Sequence, residues 1–146
     1  MAGETEVLLE NTQEAVFNPR TQALYSKQFN TRYTFDTFIA GPSNQLAFAG
    51  SKAVAENPAS SYNPLFLFGG VGLGKTHLIS AIGQQILQDR PGARVIYTSA
   101  EQFVNEVIAA VRFSKLEEFH AKYRRNCDVI LIDDSINDSF FLILEK

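Results

Sequence analysis

Residues 69–76 read GGVGLGKT, and this stretch decides the fold. It matches the pattern G-x-x-x-x-G-K-[ST] at every specified position. The residues before it, Leu65–Phe68, read LFLF and are apolar on both faces, as in a strand buried in a parallel sheet. The residues after it carry leucine and isoleucine at helical spacing. Strand, glycine loop and helix in this order predict a phosphate-binding loop.

The residue types in this P-loop each serve the binding of a nucleotide phosphate. Gly70, Gly72 and Gly74 allow backbone conformations that a Cβ forbids, so that successive N–H groups turn toward phosphate oxygens. The helix start directs its positive dipole end at the same anion. Lys75 supplies a mobile charge for the outer phosphates, and the Thr76 hydroxyl is suited to ligate Mg²⁺. A glycine-rich turn without a ligand is the alternative, and it leaves the Lys-Thr pair unexplained.

An acid pair follows another buried strand. Residues 129–132 read VILI, and Asp133 and Asp134 come directly after them. A carboxylate at the end of a central strand beside the phosphate loop can hold the water shell of Mg²⁺, so Asp133 is predicted to bind the metal. Asp134 is predicted to orient or deprotonate the attacking water. An ordinary turn residue is the alternative for Asp134.

Composition and charge narrow the class of protein. The 146 residues are about the length of one domain and carry a formal net charge of −3. This charge argues against a dedicated basic nucleic-acid-binding module. The single cysteine, Cys127, excludes an internal disulfide framework and fits a reducing compartment. The start resembles no signal peptide, and no apolar run approaches the ~20 residues of a membrane span, so we expect a cytoplasmic protein without a membrane segment.

The order strand, helix, strand, helices, strand predicts an α/β fold with a partial parallel sheet flanked by helices. Three serines are predicted to cap helices: Ser43, Ser99 and Ser114, the last two as capping boxes with Gln102 and Glu117. Two of the predicted helices each have an apolar face that should point toward the core. The first face comprises Leu46, Ala49, Ala53 and Val54, and the second comprises Phe103, Val107, Ile108 and Val111.

Three segments in order resemble the DnaA family of bacterial replication initiators, whose nucleotide domain is an AAA+ P-loop NTPase. They are YTFDTFI at residues 33–39, NPLF before the glycine loop that continues to His77, and the Asp133-Asp134 pair. The likeness covers about Tyr33 to Asp134. It implies ATP or ADP with Mg²⁺ as cofactors. Origin and single-stranded DNA are the implied partners, and we expect DNA binding to be weak here without the family's C-terminal helix-turn-helix domain. Co-assembly with a full-length DnaA is a further implied partnership.

The resemblance also implies roles for residues outside the glycine loop. Phe38 and Ile39 would line the adenine pocket, and aromatic anchors that tie the linker to the core are the alternative. His77 is grouped with the nucleotide-binding residues, with helix packing as its alternative. The helices of residues 101–125 would touch single-stranded DNA through a basic edge, whereas a solvated helix face is the simpler interpretation. That edge comprises Lys115, Lys122, Arg124 and Arg125.

The domain boundaries follow from where the likeness begins and ends. Residues 1–32 are interpreted as a poorly structured leader, 33–134 as a partial AAA+ nucleotide-binding domain, and 135–146 as a divergent tail. The AAA+ sheet order 5-1-4-3-2 then leaves Leu65–Phe68 without strand partners on either side. The Phe140–Leu144 run either fills a strand position or forms an aggregation-prone edge. Without the family's lid, sensor and arginine finger, we expect very slow hydrolysis.

The sequence is also compatible with other classes of protein. An AAA+ helicase loader or a DnaA-like regulator belongs to the same superfamily, and a non-functional truncated fragment is a further alternative. A small nucleotide kinase or GTPase is a weaker one, because the chain lacks an Asn-Lys-x-Asp guanine-reading motif.

Overall fold

The computed structural model describes residues 29–58, 60, 62–69, 74–134 and 139–144. In chain order the elements are α1 (Gln45–Glu56), β1 (Leu65–Phe68), α2 (Lys75–Asp89), β2 (Val95–Ser99), α3 (Ala100–Arg112), α4 (Leu116–His120), a π-helical turn (Ala121–Arg125), β3 (Val129–Asp134) and β4 (Ser139–Leu144). None of the helices in this part of the chain has the length and apolar character that a bilayer crossing demands.

The four strands form one mixed sheet in the order β1-β4-β3-β2. β2 and β3 are parallel, with registers running from Val95 opposite Val129 to Ser99 opposite Asp133. β4 is antiparallel to both of its neighbours, β1 and β3. The three strands predicted from the sequence therefore point the same way, and their carboxyl ends lie at one edge of the sheet.

The tail strand β4 corrects the expectation that β1 has no strand partner on either side. Each residue of β1 pairs with a residue of β4, and Leu142 of β4 lies opposite both Leu65 and Leu131. Of the two alternatives for the tail, the strand position is the one observed. Its reversed direction follows from the short connection of residues 135–138, because a parallel return needs a crossover of about a dozen residues or more.

The core lies on both faces of the sheet, because successive strand side chains point to opposite sides. On one face α1 and α2 cover the sheet, and the buried residues there include Val54, Leu65, Leu67, Leu78, Ile79, Ile82, Ile86, Val95, Val129 and Leu131. On the other face a smaller cluster comprises Ile96, Tyr123, Cys127, Ile130 and Ile132, with Phe103 and Phe119 packed against it. β3 is thus buried from both sides, which explains its unbroken aliphatic sequence.

Phe29 belongs to this core although the sequence interpretation assigned it to the leader. Its side chain is only 4% exposed. A Cβ built on Gly83 of α2 would lie 2.3 Å from Phe29 Cζ, so the ring occupies the space that the glycine leaves open. The remainder of the predicted leader up to residue 28 lies outside the described residues.

One of the three predicted helix caps is confirmed. Ser99 caps α3, because its Oγ accepts a hydrogen bond from the Gln102 N–H at 3.1 Å. Ser43 and Ser114 are not caps, since Asn44 and Lys115 hold the capping positions of α1 and α4. Ser114 instead has φ of 56° and ends the turn after α3 in a left-handed conformation.

The predicted inner faces of α1 and α3 are partly wrong. Leu46 is 86% exposed, and Ile108 and Val111 are 52% and 60% exposed. In α3 the inward line runs through Phe103 to the buried Ala110, seven residues further on. Residues 104, 108 and 111 lie one position further around the helix, outside the contact with the sheet. The apolar stripe is wider than the contact surface, so periodicity alone could not show which half turns inward.

Ser51 gives a test of the packing under α1. Its side chain is fully buried, and its hydroxyl has no hydrogen-bond partner among the described residues. Because a buried unpaired hydroxyl costs about 1 kcal/mol or more, Ser51→Ala is expected to raise the free energy of unfolding by about 1 kcal/mol. The measurement is the thermal unfolding midpoint, expected to rise by about 2–4 °C. Ser43→Ala, at an exposed non-capping serine, is the control; an unchanged midpoint for Ser51→Ala would contradict the argument.

Candidate functional site

The predicted phosphate loop joins the carboxyl end of β1 to the start of α2. Gly69 follows β1 directly, and Gly74 precedes the first helical residue, Lys75. Gly70 and Gly72 lie outside the described residues, so their assignment to the phosphate remains a prediction. The site is therefore built from the two ends of the loop and the strands beside it.

Gly74 has a conformation that only glycine adopts easily. Its φ is +90°, in the left-handed region, and a Cβ at this position would lie 2.7 Å from Phe38 Cε2. The first intrahelical hydrogen bond runs from the Leu78 N–H to the Gly74 carbonyl, at 2.9 Å. The geometry of a helix directs the amides of its first turn outward along the axis, and those at the start of α2 are suited to donate hydrogen bonds to an anion.

Lys75 connects the two sides of the loop. Its ammonium Nζ donates a hydrogen bond to the carbonyl oxygen of Gly69, across the base of the loop, and the residue is half-buried. The charge therefore lies at the loop rather than in free solvent. A phosphate oxygen is a stronger acceptor for an ammonium than a carbonyl is, because the hydrogen bond is then charge-assisted on both sides.

The structure brings the two predicted metal residues together across 57 positions of sequence. The Thr76 hydroxyl donates to Asp133 Oδ2 at 3.3 Å. Thr76 is in the first turn of α2, and Asp133 is near the end of β3, opposite Ser99 of β2. A hydroxyl and a carboxylate at this separation present oxygen donors of the kind that Mg²⁺ prefers.

Tyr97 of β2 joins this pair, and the sequence interpretation missed it. Its hydroxyl donates to the same Asp133 Oδ2 at 3.0 Å. Burial, the Asp133 charge and this hydrogen bond raise the pKa of the Tyr97 phenol above its ordinary value, so it remains a donor at neutral pH. The only sequence signal is a tyrosine within the otherwise aliphatic start of a buried strand. The partner of that hydroxyl depends on strand register, which the sequence does not display.

Asp134 is the last residue of β3 and is half-buried. Its backbone lies opposite Ser139 of β4, so it is a strand residue rather than a turn residue. The structure thus places it at the same sheet edge as Asp133. Its role toward an attacking water remains a prediction.

Phe38 and Ile39 have different surroundings. The Phe38 ring stacks on Phe48, with centroids 5.5 Å apart, and meets the His77 ring edge-on at 5.1 Å. Phe38 therefore forms the aromatic anchor that was the alternative to an adenine wall, and it also lies against Gly74 of the loop. Ile39 is 87% exposed and free of such packing. The adenine role of both residues remains a prediction.

The His77 ring contacts residues 33–38, the segment that precedes α1. Its Nε2–H donates to the Thr34 carbonyl at 2.7 Å, and its ring stacks on Tyr33 with centroids 4.8 Å apart. The ring is therefore an anchor between α2 and the preceding segment. A direct contact of His77 with nucleotide is not tested by this geometry and stays a prediction.

The predicted basic edge of α4 and the π-helical turn is largely paired with acids. Three of its members form ion pairs with glutamates: Lys115 with Glu118 at 3.8 Å, Lys122 with Glu106 at 2.8 Å and Arg125 with Glu117 at 2.8 Å. Arg124 is exposed. A surface cavity of about 400 Å³ along α3 is lined by Glu101 and Glu106, and these acids make it unsuitable for a phosphate.

Comparison with known proteins identifies the family that shares this arrangement. Residues 29–141 match the family model of the bacterial DnaA ATPase domain. The chain belongs to the DnaA family. The DnaA of Lactobacillus johnsonii is 50% identical over 126 residues, which are 86% of this chain and 28% of that protein.

Two solved DnaA structures show the same fold. Domain III of Thermotoga maritima DnaA superposes with a TM-score of 0.68 at 46% identity, over 73% of this chain and 44% of that one. A DnaA bound to AMPPCP and single-stranded DNA gives a TM-score of 0.63 at 40% identity, over 73% of this chain and 32% of that one.

These comparisons confirm the predicted resemblance to the DnaA family and the predicted partial P-loop NTPase fold. They favour DnaA over a helicase loader, and the family assignment removes the kinase and GTPase alternatives. The chain spans about a quarter of the length of the curated relatives that it matches, between 23% and 28%.

Proposed function

We propose that this chain binds ATP or ADP together with Mg²⁺, as the nucleotide-binding module of a DnaA-type replication initiator. The observation that carries the proposal is the contact between Thr76 of the loop helix and Asp133 of β3, 3.3 Å apart. Lys75 at the loop base and the left-handed Gly74 support it. A related DnaA binds the ATP analogue AMPPCP, which is consistent with the proposal.

In this proposal Lys75 leaves the Gly69 carbonyl for the outer phosphates. The backbone amides that begin α2, with those of Gly70 and Gly72, surround the remaining phosphate oxygens. Phe38 already packs against Gly74, and the exposed Ile39 beside it is available to an adenine ring. His77 supports the site by holding the Phe38 segment against α2.

Thr76 and Asp133 would hold the magnesium. The Thr76 hydroxyl donates its proton to Asp133, so its oxygen lone pairs point away from that carboxylate and are available to a cation. Bound there, Mg²⁺ would neutralise charge on the outer phosphates, and it keeps several water ligands in such sites. We assign the orientation of a water near the outermost phosphate to Asp134, at the end of β3.

A second, DNA-binding role is proposed for α3 and the residues after it. The exposed apolar residues here include Val104, Ile108, Val111, Phe113 and Leu116. An exposed aromatic ring such as that of Phe113 can stack on an unpaired base. A related DnaA binds single-stranded DNA, which supports this role. Origin DNA and co-assembly with a full-length DnaA remain predictions made from the family resemblance. A cytoplasmic location remains the prediction made from the sequence itself.

The nucleotide proposal is tested by equilibrium binding of a fluorescent ATP analogue, with Mg²⁺, to the purified chain. Saturable binding is expected, and unlabelled ATP or ADP should compete for it. In Lys75→Ala the affinity should fall by about 10-fold to 100-fold, because a hydrogen bond to a charged group contributes about 1.5–3 kcal/mol.

Lys52→Ala is the matched control, since Lys52 is an exposed lysine of α1 outside the loop. It should bind like the unchanged chain. Circular dichroism of both variants separates loss of the site from loss of folding. Absence of binding by the unchanged chain, or equal binding by Lys75→Ala, would overturn the proposal and leave the non-functional fragment as the better description.

A further inference from the structure

Tyr97 stands between the core and the proposed magnesium site. Its ring packs against Phe29 with centroids 5.4 Å apart, and Phe29 is in turn inserted against Gly83 of α2. Its hydroxyl reaches Asp133 Oδ2 at 3.0 Å. The ring position is thus set by the core, and the hydroxyl position follows from the ring.

The Asp133 carboxylate is held through a single oxygen. Oδ2 accepts from both the Tyr97 hydroxyl and the Thr76 hydroxyl, which come from β2 and α2 respectively. Within the described residues Oδ1 accepts no hydrogen bond. Two donors on one oxygen restrict the rotation of the carboxylate, and the other oxygen is left for the cation or its water shell.

We propose that Tyr97 is a positioning residue for the magnesium site: its hydroxyl holds Asp133 so that the carboxylate meets the cation bound with the nucleotide. This inference rests on the proposed nucleotide function and deepens it. Tyr97 does not itself touch the nucleotide or the cation. It acts through Asp133, as the partners behind a metal ligand orient that ligand.

The hydroxyl, rather than the ring, carries this role. A phenylalanine at position 97 would fill the same space against Phe29 and would lack only the hydroxyl. The tyrosine hydroxyl needs a hydrogen-bond partner, because burying a phenol without one is costly. If Tyr97 is purely structural, removing its hydroxyl should change the stability of the fold without changing cation binding. If Tyr97 is a positioning residue, removing its hydroxyl must change cation binding. A measurement of cation binding therefore distinguishes the two roles.

The test is the Mg²⁺ dependence of nucleotide binding by Tyr97→Phe in the full chain. Binding of a fluorescent ATP analogue is measured over a series of MgCl₂ concentrations, and separately in EDTA. The Mg²⁺ concentration for half-maximal enhancement is expected to rise by about 10-fold or more, the usual effect of losing a partner behind a metal ligand. Binding in EDTA should stay as in the unchanged chain.

Thr98→Val is the matched control. Thr98 is the next residue of β2, it is buried, and its hydroxyl contacts only the Ser99 carbonyl at 3.3 Å among the described residues. This variant also deletes one hydroxyl from β2, and it should leave the Mg²⁺ dependence unchanged. In an Asp133→Asn background Tyr97→Phe should cause no further change, because its effect passes through Asp133.

An unchanged Mg²⁺ dependence in a folded Tyr97→Phe chain would overturn the inference. Where Tyr97→Phe does not fold, 3-fluorotyrosine at position 97 keeps both ring and hydroxyl. Its ¹⁹F resonance should shift when Mg²⁺ is added to the nucleotide complex, and an unmoved resonance overturns the inference equally. Failure of the unchanged chain to bind nucleotide at all is a different outcome, and it overturns the proposed function instead.

Discussion

A chain that lacks residues 139–146 is expected to lose its cooperative unfolding transition and to bind no nucleotide. Every residue of β1 and every residue of β3 has a partner in β4. Deleting β4 removes the described pairing of β1 entirely and one side of the pairing of β3. Buried amides and carbonyls left without partners cost about 1–3 kcal/mol each, against a total stability of ~5–15 kcal/mol for a domain.

Thermal unfolding followed by circular dichroism measures this loss, and nucleotide binding gives the second readout. Removal of Glu145 and Lys146 alone is the control, because these residues follow β4 and leave its pairing complete. A chain without β4 that unfolds at the same temperature as the unchanged one would show that the strand contributes nothing to the sheet.

Gly74→Ala is expected to weaken nucleotide binding by at least about 30-fold, or about 2 kcal/mol. The φ of +90° costs a residue with a Cβ about 1–2 kcal/mol, and the added carbon would approach Phe38 Cε2 to 2.7 Å. Relieving the contact requires either a shift of Phe38 or a different loop conformation. Either change disturbs the segment that begins α2, where the phosphate donors lie.

The matched control is Gly92→Ala, since nothing lies within 4 Å of a Cβ at Gly92. It should bind nucleotide normally. Adding Phe38→Leu to Gly74→Ala relieves the contact with the ring but not the backbone strain, so only partial recovery of affinity is expected. Full nucleotide affinity in the single variant Gly74→Ala would contradict the argument that the end of the loop requires a glycine in a left-handed conformation.

The reversed strand β4 has a consequence for the site as well as for stability. It separates β1, which leads into the phosphate loop, from β3, which carries Asp133. Two strand spacings of about 4.8 Å place β1 and β3 about 10 Å apart. Across this distance, Thr76 in the first turn of α2 reaches Asp133 of β3. A strand in the β4 position is therefore part of what holds the two halves of the site in register.

Several features of the site follow from the sequence alone. The residues GGVGLGKT after an apolar strand identify a phosphate loop, because few other functions require glycines, a lysine and a threonine at that spacing. The acid pair after VILI identifies the second strand of the site for a similar reason, since an acid following a buried strand emerges at the sheet edge. These signals are local, so they could be read without knowing any long-range contact.

Only the tertiary structure decided which side chains surround those motifs. Strand register places the Tyr97 hydroxyl on Asp133, and chain packing puts Phe29 against Gly83. The apolar stripe of α3 was wide enough to permit either face inward, and contact with the sheet selected Phe103 over Ile108. The tail became an antiparallel strand because a short connection can only reverse the chain. Local residue types determine the motifs of this protein, whereas residues far apart in sequence determine their partners, and only the folded chain brings those residues together.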